Sequence, residues 1–197
     1  MHKYLFIIFI LLLSLTINNC ISLSTFQSAQ TIEDGKFALT GGTVGFIEEG
    51  DAGIFPEIGF RYGMTNRADL GLKLVLPLLI VGDIKYELIQ APVTISFDFG
   101  FSVFPDDNYR AVALYPMLIA GTDKWYVGVK KTYARYTGTD IFWGTYEYDE
   151  VVWYPPVIVI GGVFGEKLRI LPELNIYTPN DDGEIGIMPG LGIELYF

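Results

Sequence analysis

The sequence predicts an all-β chain folded as an antiparallel up-and-down transmembrane β-barrel of about ten strands, within roughly eight to twelve. Three observations predict it. Beyond residue 35 apolar side chains recur with a two-residue period through segment after segment, and no 3.6-residue stripe is sustained. The connections between those segments sort into two kinds in alternation. The polar faces nearly cancel in charge, although the whole chain carries 13 Lys+Arg against 23 Asp+Glu.

The chain opens with His2-Lys3 and an unbroken apolar run from Tyr4 to Ile17. That is the length of a signal-peptide core, short of the roughly 20 apolar residues a membrane helix needs. Residues 1–19 are therefore expected to be a removable export signal. Cys20, the only cysteine, follows Ile17-Asn18-Asn19 and has no partner for a disulfide. This junction resembles a lipoprotein lipobox, of the relaxed kind found in spirochaetes, since Asn19 stands where Gly, Ala or Ser is usual. The resemblance implies cleavage before Cys20 and acylation of its thiol and new amino group. Ordinary signal-peptidase cleavage after Ser22 or Ser24, with Cys20 discarded, is the alternative. Residues 20–34 turn polar without a period and are expected to be an acylated N-terminus and tether; residues 35–197 form the barrel domain.

The clearest strand runs from Val93 to Val103, where Val93, Ile95, Phe97, Phe99, Phe101 and Val103 alternate with Thr94, Ser96, Asp98, Gly100 and Ser102. The same alternation predicts strands at 54–64, 69–76, 83–89, 166–177 and the C-terminal 186–197, with weaker ones at 36–47, 109–120, 124–135 and 152–164. Pro116 and Pro172 fall inside two of them, where each removes a ladder hydrogen bond, so bulges are expected there.

Ten strands let both chain ends emerge on one side. The odd connections (Glu48 to Asp51, Leu76 to Gly82, Pro105 to Asn108, Tyr136 to Val151, Pro179 to Glu184) are mostly longer and acidic, while the even ones (Thr65 to Ala68, Gln90 to Pro92, Gly121 to Asp123, Gly165) are short. Long outer loops and short periplasmic turns are the asymmetry of an outer-membrane barrel. Aromatics at strand ends suit interfacial girdles: Tyr62, Trp125, Phe164, Tyr196 and Phe197 by the short turns, and Tyr109, Trp153 and Tyr177 by the long loops.

On the polar faces stand Glu57, Asp69, Asp83, Glu87, Asp98, Glu173 and Glu194 against Arg61, Lys73, Lys85, Lys130, Lys167 and Arg169. A Lys or Arg facing lipid at mid-membrane costs roughly 2–4 kcal/mol, so these groups belong inside. Their near balance predicts a lumen filled by an ion-pair network rather than a wide channel. The same alternation also describes the solvated face of a soluble sheet, so a lipid-tethered periplasmic barrel or sandwich binding an apolar ligand remains an alternative, as does a narrow passive pore.

The acidic balance excludes nucleic acid as a partner. The only histidine, His2, leaves with the signal, and Cys20 is acylated or lost, so Ser-His and Cys-His mechanisms are excluded in the mature chain. No phosphate loop, cofactor motif or metal-ligand spacing appears. The loop from Tyr136 to Val151 offers Asp140, Trp143, Tyr146, Tyr148, Asp149 and Glu150 as candidates for an extracellular ligand of unknown identity, or simply as a packed cover of the barrel mouth.

The chain ends on IGIMPGLGIELYF, with Ile193, Leu195 and Phe197 on one face. That terminal strand resembles the C-terminal strand of bacterial outer-membrane β-barrels, which their insertion machinery reads as an address. The resemblance implies an outer-membrane location in a diderm bacterium, with membrane lipid and the insertion machinery as partners, a periplasmic N-terminus and acidic extracellular loops. The segment Phe60 to Leu74 is similar to strand-turn-strand units of bacterial barrel proteins. The expected role is structural, surface-exposed or binding.

Overall fold

In the computed structural model, residues 25–48, 51–76, 79–105, 109–140, 146–177 and 185–197 are described. Ten strands form one sheet: β1 (Phe37–Glu48), β2 (Asp51–Thr65), β3 (Ala68–Val75), β4 (Leu79–Ile89), β5 (Thr94–Pro105), β6 (Tyr109–Gly121), β7 (Trp125–Asp140), β8 (Tyr146–Gly162), β9 (Leu168–Tyr177) and β10 (Gly186–Tyr196). Each is antiparallel to its neighbours in sequence, and β10 returns to pair with β1 from Ala38↔Tyr196 to Val44↔Gly190. The sheet closes into a barrel in which every strand pairs with two neighbours, the β8–β9 ladder being the shortest, from Val157↔Tyr177 to Gly161↔Glu173.

Alternating Leu, Ile, Val and Phe on one face of each strand decide which way the sheet curls. Ile58, Leu72, Ile84, Phe101, Leu118, Ile170 and Ile193 all point outward and are half exposed. Side chains described in β2 to β5, β9 and β10 place no Asp, Glu, Lys or Arg on that outer face. Most strands have 10 to 13 residues, enough to cross a hydrocarbon layer at a barrel tilt. β7 and β8, with 16 and 17, rise beyond it as a hairpin paired out to Asp140↔Tyr146.

This hairpin corrects the loop expected from Tyr136 to Val151. Tyr136 pairs with Glu150 and Gly138 with Tyr148, so most of that segment is strand. The Leu76 to Gly82 loop shrinks likewise, since β4 begins at Leu79. The two sides of the barrel thus differ more in strand extension than in loop length.

The prolines are absorbed differently from the bulges expected at them. Pro116 keeps its place opposite Phe99 while pairing with β7 lapses between Leu114↔Tyr133 and Met117↔Lys130, with the register unchanged. The bulge lies one ladder away, between Lys130 and Thr132, opposite Pro155-Pro156. Pro172 sits just below Glu173, where the β8–β9 ladder has already ended.

Of the expected girdle, Tyr62, Trp125, Phe164 and Phe197 are exposed at the short-turn rim, and Trp153 at the opposite one meets Tyr133 edge-on at 4.6 Å. Tyr177 and Tyr196 are corrections. Both occupy inward positions, Tyr177 packing on the core and Tyr196 lying under the Arg169 guanidinium. The Tyr109 side chain lies outside the described residues.

Candidate functional site

The lumen is built in two storeys. Towards the odd connections the inward residues are apolar: Val44, Phe55, Val75, Leu79, Val81, Ala111, Ala113 and Ala134 are buried in one cluster. Most charged residues lie nearer the short turns, on inward positions of β2 to β5, β9 and β10. The ion-pair network expected from the sequence therefore fills about half the interior.

Within it, Arg61 bridges Asp69 and, at 2.6 Å, Asp83. Lys85 lies 3.4 Å from Asp69, Lys73 meets Glu57 at 2.7 Å, and Arg169 reaches Glu194 at 3.6 Å. Lys130 is buried in the same lumen. Lys167 is a correction: it precedes β9 in the turn at Gly165 and is exposed at the rim, because the turn carries it past the wall.

Glu87, Asp98 and Glu173 do something the sequence did not predict. They hold the segment from Thr25 to Ile32, which runs inside the barrel. Glu173 accepts from the backbone N–H of Thr25 and of Phe26, both at 2.8 Å, and also from Tyr126 Oη and Asn175 Nδ2 at 2.9 Å. Gln27 donates to Asp98, Thr31 N–H and Oγ1 to Glu87, and Ile32 N–H to Asp69 at 2.9 Å. Lys85 Nζ donates to the carbonyls of Ser28 and Gln30 at 3.0 and 2.7 Å, and Ser96 Oγ to that of Ala29. A non-helical, non-sheet backbone inside a low-dielectric space must have its polar groups satisfied, and here the wall's charges do it.

The segment's side chains are equally fixed. Phe26 and Ala29 join the apolar cluster, and Ile32 is buried near the rim. Phe26 lies against Gly42, Gly190 and Gly192; a Cβ on any of them would come within 3 Å of its ring. Near the rim Gly35, at φ +73°, turns the chain into β1, and Gly63 lets it pass, since a Cβ there would stand 2.1 Å from the Glu33 carbonyl. The expected tether is thus, from Thr25 onward, a plug.

Of the outer candidates, Asp149 and Glu150 are exposed. Asp149 is already engaged by Arg135, whose Nε and Nη2 reach its two oxygens at 2.8 and 2.6 Å. This pair lies beyond the Tyr133–Trp153 girdle, and the Arg135 hydrogen bonds hold the Asp149 carboxyl below its ordinary value. Trp143 and the side chains of Asp140, Tyr146 and Tyr148 lie outside the described residues. Cys20 does too. Ile193, Leu195 and Phe197 face outward together. Among the described residues no group of His, Cys, Asp and Glu is gathered to hold a metal.

An apolar exterior, a charged interior and complete closure define the class: a small β-barrel of the outer-membrane type, here with an internal plug. No family model and no curated protein matches the chain. Solved structures that resemble it include the N-terminal β-barrel domain of OprF from Pseudomonas aeruginosa, at 13% identity and TM-score 0.35, covering 84% of this chain and 100% of that one. The attachment invasion locus protein Ail of Yersinia pestis, in complex with the heparin analogue sucrose octasulfate, gives 14% identity and TM-score 0.34 over 83% and 99%. Neisserial surface protein A gives 10% and 0.36 over 82% and 96%. At these scores the fold rests on the chain's own strand pairing.

Proposed function

We propose that this chain is a structural, surface-exposed protein of the outer membrane of a diderm bacterium, with a closed, non-conducting lumen, its short turns in the periplasm and the β7–β8 hairpin outside. The plug carries the reading. A passive pore needs a continuous wet path, whereas here residues 25–32 occupy the charged storey and apolar side chains pack the other. A soluble periplasmic domain is disfavoured by the half-exposed Leu, Ile, Val and Phe on the outer face of strand after strand, which water would leave unsatisfied and lipid covers.

Either maturation of the N-terminus, acylation at Cys20 or cleavage beyond it, delivers the chain to that membrane. The terminal strand supplies what the barrel-insertion machinery recognises, and any extracellular ligand meets the projecting hairpin. The reading assigns no catalytic role and needs no cofactor.

Heat-modifiable migration in detergent gels, surface proteolysis and planar-bilayer recording together test it. A compact unheated band, cleavage in intact cells at a tag after Gly144 but not at one at Asn66, and no stepwise conductance are expected. Protection at both sites with a single gel mobility refutes the spanning barrel; regular conductance steps refute the closed lumen.

A further inference from the structure

Glu173 clasps two successive backbone nitrogens of the plug. That of Thr25 lies 2.8 Å from Oε1, and that of Phe26 lies 2.8 Å from Oε2. The carboxylate is 4% exposed and takes all four of its described hydrogen bonds as an acceptor, two from the plug and two from Tyr126 and Asn175. We propose that the chain is processed between Ser24 and Thr25, and that the new α-amino group of Thr25 is seated on Glu173 inside the lumen. The step is a hydrolysis by a leader peptidase: water adds across the Ser24–Thr25 peptide, the C–N bond breaks, Ser24 leaves as a carboxylate and Thr25 keeps the nitrogen as an ammonium.

Two independent features support it. The residues before the bond are Ser22-Leu23-Ser24, small at both positions that a leader peptidase recognises. Among the described residues the luminal charges are out of balance by two: with Lys167 outside, Glu57, Asp69, Asp83, Glu87, Asp98, Glu173 and Glu194 face Arg61, Lys73, Lys85, Lys130 and Arg169. Buried charge needs compensation, and an ammonium at Thr25 supplies one positive charge where a peptide N–H supplies only a dipole. Thr25 also borders a luminal cavity of about 60 Å³ lined by Glu57, Asp83 and Asp98 together with Arg61, Lys73 and Lys130, so its charges are matched there and the carboxylate that seats the ammonium is Glu173 itself.

This inference rests on export to the outer membrane and deepens that reading. Intact-mass spectrometry of the full-length gene product, isolated from outer membranes of a diderm host, tests it. The expected mass is that of residues 25–197 without modification, unchanged in Cys20→Ser, while Ser24→Trp accumulates precursor or shifts the cut. A mass beginning at Cys20 with acyl chains, incorporation of labelled palmitate, or an unmodified start elsewhere overturns it. A compact heat-modifiable band alongside such a mass leaves the barrel standing and removes only the proposed terminus.

Discussion

Phe26 and Gly190 form the sharpest mechanical test of the plug. The Phe26 ring is 3% exposed, and a Cβ on Gly190 would meet Cζ at 2.9 Å and Cε1 at 3.0 Å, with Val44 Cγ2 next at 3.4 Å. Carbon atoms prefer about 3.5–4.0 Å, so Gly190→Ala drives the ring off its seat and costs about 1–3 kcal/mol. Phe26→Ala removes the ring and leaves a cavity, at about 3–5 kcal/mol. Combined, the two must not add: without the ring the Gly190 methyl meets only ordinary contacts, and the coupling should be about 1–2 kcal/mol. Urea unfolding in lipid vesicles, followed by tryptophan fluorescence and by loss of the compact gel band, measures all four proteins. If Gly190→Ala costs the same with and without Phe26, or Phe26→Ala costs under about 1 kcal/mol, the ring does not occupy the lumen and the plug is wrong.

Lys85 is 1% exposed and ties Asp69 to the Ser28 and Gln30 carbonyls. Lys85→Met strands those partners and should destabilise by about 3–5 kcal/mol, with faster amide exchange across Gln27 to Ile32 as the local signature. On the outer face, Leu72→Arg should cost roughly 2–4 kcal/mol in a bilayer and reduce insertion; an unaltered yield of compact protein would point to water rather than lipid around β3. The Asp149 carboxyl, held down by its hydrogen bonds to Arg135, contributes above the ordinary carboxylate range near about 3.9 and loses that contribution as pH falls through its lowered value. Carboxyl NMR should place its midpoint below the ordinary value, returning towards it in Arg135→Gln; no return would separate the shift from the pair.

The wall is legible in the sequence. Residues such as Val93 to Val103 or Gly186 to Phe197 alternate so regularly that strand, face and outward direction follow from the period alone, and the aliphatic side of each strand does lie outside. Boundaries are less legible where polar aromatic sequence is compatible with strand or loop. Tyr136 to Val151 reads as a loop because its charges break the alternation, yet above the girdle both faces of a hairpin meet water, so no alternation is required there. Lys167 shares the parity of its strand but not its position, since parity does not say where the turn begins. Tyr177 and Tyr196 suit a girdle by their proximity to strand ends, although their parity already places them inside.

The sequence by itself determined that this chain makes a closed, alternating sheet with its charges on one side, because that information is local and repeats every second residue. Only the tertiary structure decided what fills the sheet. Thr25 to Ile32 carries no period, and its partners, Glu87, Asp98, Glu173 and the glycines at 42, 190 and 192, lie on five strands far apart in sequence. They become one surface only when β10 closes on β1, and closure is the step that turns a polar stretch into a plug.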